Sequence, residues 1–267
     1  MSLAATPAGE APLVLRADDQ GIATLTLNRP AARNALSRAL MTALQEALDA
    51  VRDDRSVKVV VLAANGPAFC AGHDLKEIRA NPGREIYQAL FSQCSRLMVT
   101  LTKLPQPVIA KVQGIATAAG CQLVATCDLA VAARTAKFAT PGVNIGLFCS
   151  TPMVALARAV GRKAAMEMLL TGETIDADRA ERLGVINRAV DPGELDAAVA
   201  QLAKVVSSKS PLTVAIGKEA FYRQIELDLQ AAYDYASEVM TRNMLARDAE
   251  EGIDAFLEKR QPTWSGR

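Results

Sequence analysis

Histidine is nearly absent from this chain: His73 is the single one in 267 residues. That excludes His-rich metal sites and makes any Ser-His-Asp triad depend on one residue. Aromatic residues are also few, with one Trp, four Tyr and six Phe, so no stacking platform for nucleic-acid bases is apparent. An excess of one charge is missing too. The formal net charge is +1 with 22% charged residues, which leaves no electrostatic footprint for nucleic acid or an anionic membrane. The five cysteines, Cys70, Cys94, Cys121, Cys127 and Cys149, have neither CxxC nor zinc-like spacing and read as reduced, buried thiols. No apolar run reaches the ~18 residues that span a bilayer. Met1–Pro12 has no cationic start followed by an apolar stretch, so no secretory signal is read. These absences predict a soluble cytoplasmic protein with no metal, nucleic-acid or membrane partner.

What is present is a large apolar content, 50% of the chain, enough to bury a sizeable core at this length. Leu13–Arg16 and Ile22–Leu27 read as strands joined by a hairpin turn at Asp18–Gly21. A helix follows from about Ser37, its N-cap by residue type, to Arg52, with apolar positions at Leu40, Met41, Leu44, Leu48 and Val51. Val57–Ala63 is continuously apolar apart from Lys58, as in a strand buried on both faces. Phe69–Lys76 leads into another helix, and Glu85–Leu104 is a long amphipathic one stopped by Pro105 and Pro107. Val108–Val112 is a buried strand, Gly114–Gly120 a tight turn of small residues, Cys121–Cys127 a short helix and Leu129–Ala132 a strand. Lys137–Pro141 reads as a short strand and turn. The segments 151–160, 163–170 and 176–183 read as helices, 184–190 as a strand. After Asp191-Pro192 the character changes to helices alone, at 195–207, 211–221, 226–240 and 248–259. The fold class is therefore α/β, with a core over residues 1–195 and a helical C-terminal region over 196–267.

The small side chains across Ala116–Gly120 leave backbone amides bare where a helix begins. Helix N-termini favour anions through unpaired N–H groups and the dipole. Close packing of strand on helix calls for the same residues, so both readings stand on composition.

Five segments in this order resemble the crotonase superfamily, the enoyl-CoA hydratase/isomerase family, over nearly the whole chain. They are Leu27–Leu36 (LNRPAARNAL), Ala68–Glu77 (AFCAGHDLKE), the stretch 108–132, Phe138–Gly146, and Ala165–Gly172 (AMEMLLTG). The resemblance implies a spiral of β-β-α units followed by helices that build a homotrimer or a dimer of trimers. It implies no permanently bound cofactor, a coenzyme A thioester as substrate, and a place in fatty-acid or acyl-CoA metabolism. It also implies that the backbone amides of His73 and Ala119 stabilise an enolate-like oxygen, each such donor being worth roughly 3–4 kcal/mol in a dry site. Around these, Ala71, Asp74, Leu75, Lys76 and Gly120 belong to the two motifs. Arg29, Arg33 and Lys76 stand as candidate phosphate partners, and Trp264 and Phe256 resemble aromatics that reach a neighbouring subunit's ligand, with Lys259 or Arg267 as a further cation.

The departures decide as much as the match. Hydratases of the family hold a water between two glutamates; the corresponding positions here are Gln122 and Gly142. An amide does not titrate and a glycine offers no group, and each lost acid–base contribution is typically ~10²–10⁴-fold in rate. Hydration by the usual two-glutamate route is therefore not expected. His73 could bind a carboxylate or shuttle a proton, as in a decarboxylase-type member, or contribute its amide alone. Asn144 and Gln122 are candidate polar liners near the acyl carbon. Cys149 could reach the thioester; a nucleophilic thiol needs a base or helix N-terminus to lower its pKa, and Thr151-Pro152-Met153 could open such a helix, but no base is evident besides His73, distant in sequence. Asp128 reads as a structural acceptor. The remaining alternative is a catalytically silent acyl-CoA-binding or regulatory protein.

Overall fold

The computed structural model describes residues 11–267; most of Met1–Pro12, on which the reading of no secretory signal rested, lies outside them. Two strands, β1 (Val14–Asp19) and β2 (Ile22–Leu27), pair antiparallel through a two-residue turn. Gln20 and Gly21 there take φ of 47° and 82°, the left-handed pair that matches strand twist. Helix α1 (Arg38–Asp53) follows, capped by the Ser37 hydroxyl accepting from the Leu40 amide. Its five apolar positions, Leu40 to Val51, are all fully buried, each worth about 1.5–3 kcal/mol relative to exposure.

From β3 onward the chain winds in repeated turns. Strands β3 (Val59–Ala64), β5 (Val108–Val112) and β7 (Leu129–Ala133) pair in parallel in one sheet, and β10 (Arg188–Val190) closes it, giving the order β1-β2-β3-β5-β7-β10. Each is followed by a short strand in a second sheet, β4 (Ala68–Cys70), β6 (Ile115–Thr117) and β8 (Lys137–Ala139), with β9 (Ile175–Asp176) at its edge. One strand per sheet per turn is the expected spiral. The sequence reading missed β4, β6 and β9: segments of two or three residues are too short to show a period. It likewise took 184–190 as a strand, whereas Gly184 closes helix α7 (Ala177–Leu183) at φ 90° and only the last three residues pair.

Helices α2 (Leu75–Ala80), α3 (Arg84–Lys103), α4 (Ala119–Thr126), α5 (Pro152–Ala159) and α6 (Arg162–Thr171) fill the turns. The helical tail comprises α8 (Leu195–Ser207), α9 (Pro211–Gln224), α10 (Leu229–Met244) and α11 (Arg247–Leu257). Packing divides this tail differently from composition. Leu195, Val199 and Ala203 of α8 cover Val59, Val61, Ile109 and Val131 on the outer face of the first sheet, so α8 lies with the core. Helix α9 is tied back by polar posts: Lys218 Nζ lies 2.6 Å from Asp128 Oδ2, and Tyr222 Oη donates to Asp128 Oδ1 at 2.9 Å. Asp128 also accepts from the Val108 amide, the acceptor role its sequence position suggested. No helix among the described residues is long and apolar enough to cross a membrane.

Candidate active site

Parallel pairing of β4 with β6 sets their C-terminal ends side by side, and each runs straight into a helix. After β4 comes Ala71-Gly72-His73-Asp74 and then α2; after β6 comes Ala118 and then α4. Sheet ends of this kind are where α/β folds bind ligands. The two junctions touch. A Cβ on Gly72 would meet Ala118 Cβ and Thr117 O at 3.0 Å and stand 3.5 Å from Ala119 N. Gly72 has φ 90°, so both space and backbone demand glycine. A Cβ on Gly120 would fall 2.1 Å from Cys70 O, which places α4 hard against the end of β4. The bare turn thus serves close packing, one of its two readings.

The amides left over answer to the other. Ala118, at φ 49° and ψ −117°, turns the chain sharply while its own N–H goes to Ala139 O. Such a conformation costs an alanine on the order of 1–3 kcal/mol. Neither the His73 nor the Ala119 N–H donates to a backbone carbonyl among the described residues. Free N–H groups at a helix start favour an oxygen carrying negative charge. No sequence signal marks Ala118, because a strained alanine looks like any other.

Asp74 fixes the first junction. Its Oδ1 caps α2 by accepting from the Lys76 and Glu77 amides at 3.0 and 3.2 Å, and its Oδ2 accepts from Arg29 Nη1 at 2.7 Å. Burial works to raise the Asp74 pKa, but the Arg29 bond and the two amides outweigh it and hold it below the usual carboxylate value. Arg29 also donates to Ala35 O, so this candidate phosphate partner is engaged inside the protein. Asn34, fully buried, accepts from the Arg29 amide and donates to Asn65 O and Ala68 O, tying the segment after β2 to the start of β4. Arg33, Leu75 and Lys76 are exposed beside this junction, and the Ala71 amide donates to Arg33 O.

The His73 ring packs edge-on against Phe91 of α3, centroids 5.6 Å apart. Both ring nitrogens are shielded from solvent without a hydrogen-bond partner. Burial lowers its pKa and outweighs the Leu36 backbone and Glu77, which pull the other way, so the ring is neutral at physiological pH.

Gln122, one turn into α4, is 4% exposed, and its Oε1 is buried without a partner. Gly142 lies in a short 3-10 helix, Pro141–Ile145. A Cβ there would come within 2.6 Å of Leu147 O and 2.9 Å of Cys149 Sγ. Position 142 therefore has no room for a side chain. The Cys149 thiol is raised in pKa by burial, against a lowering contact from the Gly142 amide, which leaves it protonated. Asn144 lies over Gly172, whose Cβ would sit 3.1 Å from Asn144 Nδ2. Trp264 donates from its indole N–H to Ser208 O and packs on Gly252, so it is anchored on its own chain, while Phe256 stands 82% exposed. Among the described residues no cluster of His, Cys, Asp or Glu could hold a metal.

Comparison with known proteins identifies the family. Residues 17–267 match the family model described as enoyl-CoA hydratase/isomerase. The rat protein named enoyl-CoA hydratase domain-containing protein 3, mitochondrial, is 46% identical over 98% of this chain and 87% of its own length. The 2,3-dehydroadipyl-CoA hydratase of Escherichia coli is 37% identical over 93% of this chain and 96% of its own length. A crystal structure titled as an enoyl-CoA hydratase from Mycobacterium smegmatis superposes with TM-score 0.93 at 57% identity, covering 95% of this chain and 99% of that one. The cytoplasmic placement expected from the sequence is overturned here, because the rat relative and its mouse and human counterparts are named mitochondrial. A soluble, weakly charged composition is shared by cytosolic and organellar proteins and could not decide the compartment. By its family model, its relatives and its spiral of β-β-α turns, the chain belongs to the enoyl-CoA hydratase/isomerase family, with the crotonase fold.

Proposed function

We propose that this protein binds an acyl-coenzyme A thioester and polarises its carbonyl with the His73 and Ala119 amides, without the two-glutamate hydration route. The observation that carries this is the pair of junctions in direct contact, each presenting an amide with no backbone acceptor. Two preorganised donors act on charge as it develops and cost no reorganisation. Gln122 and Gly142 stand where the family's hydratases carry their acid–base pair. An amide that does not titrate and a glycine walled in by Leu147 O and Cys149 Sγ leave polarisation and positioning as the chemistry available. A lyase or isomerase step that needs only an enolate fits this set, within acyl-CoA metabolism. Arg33 and Lys76, exposed beside the first junction, are the cations placed to meet coenzyme A phosphates.

The filled space at 142 also favours a second reading, a catalytically silent acyl-CoA-binding protein. A His73 proton shuttle gains less support, because the ring packs on Phe91 and burial disfavours its charged form. Self-association suits the tail: Leu229, Tyr233, Met240 and Met244 on α10 are at least half exposed and lie on one helical face, an apolar stripe fit for a second copy of the chain. The deciding experiment measures binding and turnover of acetyl-, crotonyl- and methylmalonyl-CoA side by side. Binding with a red-shifted thioester carbonyl band supports the reading, and turnover of any member separates enzyme from silent binder. Absence of binding to every thioester removes both.

A further inference from the structure

Three small residues stand where the two turns meet, and they are small for different reasons. Gly72 and Gly120 are glycine because a Cβ at either would run into backbone, 3.0 Å from Thr117 O and 2.1 Å from Cys70 O respectively. Ala118 reverses this. Its backbone, at φ 49° and ψ −117°, is one that glycine adopts freely and alanine does not, yet a methyl group is present. Strained backbone of this kind persists where the surrounding structure fixes it, and it concentrates at functional sites. Both polar groups of Ala118 are fixed here. Its N–H donates to Ala139 O of β8 at 2.9 Å, and its C=O accepts from the Gln122 amide of α4 at 3.0 Å.

The strain falls on the peptide that carries the Ala119 N–H. A peptide unit is planar, so ψ at 118 sets the direction of that N–H. At this φ the ordinary basin for an L-residue is left-handed helical, with ψ near about +47°. Relaxing into it would turn the peptide over by nearly half a turn, point the N–H away and break the Gln122 bond. The methyl leaves little allowed space around the observed angles, because a Cβ forbids most of the region at positive φ. It also stands between the turns: a side chain on Gly72 would meet Ala118 Cβ at 3.0 Å, with Ala119 N behind it at 3.5 Å. Glycine at 118 would take the same angles without strain, together with a wide range around them, and would leave empty space between the turns.

We infer that Ala118 is a positioning residue: its methyl group confines the Ala119 peptide to one direction and spaces the two turns so that both free amides meet one oxygen. The inference deepens the thioester reading above and rests on it. Ala118→Gly and Ala118→Ser are compared with the parent by titration with acetyl-CoA, by the infrared band of the bound thioester carbonyl, and by urea unfolding. Ala118→Gly should hold or raise the unfolding midpoint, because relief of strain offsets the extra freedom of the unfolded glycine. Its acetyl-CoA affinity should nevertheless fall about three- to tenfold, short of the ~10²-fold in rate that deletion of a whole oxyanion donor costs. The red shift of the carbonyl band should shrink with it. Serine keeps the Cβ at the same angles and should keep both affinity and red shift. A fold that is no weaker with a site that is looser is a result that a purely structural alanine does not give. Parent-like affinity and band in Ala118→Gly overturn the inference, as does a loss that a folded Ala118→Ser shares or one that accompanies a lower unfolding midpoint. A parent that binds no thioester, or binds it with an unshifted band, removes the thioester reading and this inference with it.

Discussion

The paired junctions after β4 and β6 contrast with the loop over Pro141–Cys149. In the junctions the proposed work falls to backbone amides, and the residues around them, Gly72, Ala118 and Gly120, are small enough to bring the two turns together. In the loop the family's hydratases rely on a side chain, and here Leu147 O and Cys149 Sγ occupy the space that a Cβ at 142 would need. Function carried by backbone survives any substitution that keeps the turn, whereas function carried by a carboxylate ends with one residue. On the proposed reading the protein keeps the first kind, and the clash at Gly142 stands where the second would be.

The sharpest way to break the contrast is at Gly120. An alanine there would put its Cβ 2.1 Å from Cys70 O, and backbone cannot yield as a flexible side chain does. Gly120→Ala is expected to cost at least about 3 kcal/mol, the upper end of ordinary overpacking, and to abolish thioester binding. Urea unfolding and titration with acetyl-CoA check both. Retention of either would mean that the junctions tolerate separation and that their contact does not set the amide pair.

The loop gives the next effect. Gly142→Ala should destabilise by about 1–3 kcal/mol. Cys149→Gly in the same chain should recover only part of this, since Leu147 O still stands 2.6 Å from the new Cβ. A Gln122→Glu/Gly142→Glu variant accordingly gains no hydration of crotonyl-CoA. Measurable hydration by it would show a loop soft enough to re-form the acid–base site, and the contrast would fail.

How far this was legible in the sequence follows the same division. Long periodic elements, α1 with its Ser37 cap and α3, could be read because five or more apolar residues recur at helical spacing. The spiral could not be read from periodicity, because β4 and β6 are three residues each and the strained turn at Ala118 has no residue signature. Motif order supplied the spiral and the family, and it nominated the positions 73, 119, 122 and 142 on which the proposed function rests. It could not supply the Arg29–Asp74 pair, which joins residues 45 apart, nor the collision at Gly142, which depends on a carbonyl five residues on. Arg29 therefore looked like a free phosphate partner. Compartment lay beyond composition altogether.

Breaking the Arg29–Asp74 pair sharpens the comparison from inside the first junction. Arg29→Met leaves a half-buried carboxylate with its two amide donors only, at an expected cost of about 1–2 kcal/mol for a partly exposed charged hydrogen bond. The His73 amide then loses one of the fixings of its turn, and thioester affinity should fall several-fold with Arg33 untouched. Because the folded Asp74 pKa is held below its ordinary 3.8, its contribution is present above that pH and is lost as pH falls through the lower folded value. The variant should lose less stability than the parent on acidification over that range.

The smallest effect belongs to the His73 ring, and it separates amide from side chain. Burial lowers the ring's pKa from its ordinary 6.5, so well above 6.5 the ring is neutral whether the chain is folded or not and adds no pH dependence. As pH falls below 6.5 the unfolded chain takes up the proton first, so stability declines down to the folded pKa and the decline then levels off. His73 is the single histidine, so the difference in slope between the parent and a variant at 73 isolates this contribution from that of the carboxylates. His73→Phe, a ring that can still meet Phe91, should flatten the slope in chemical unfolding measured between pH 7 and 5. It should leave acetyl-CoA affinity within about twofold, because the backbone N–H at 73 is unchanged. Loss of binding in this variant with the fold intact would assign the ring a direct part in ligand contact. The first junction would then work by side chain as well as by backbone, and the division between junctions and loop would no longer hold.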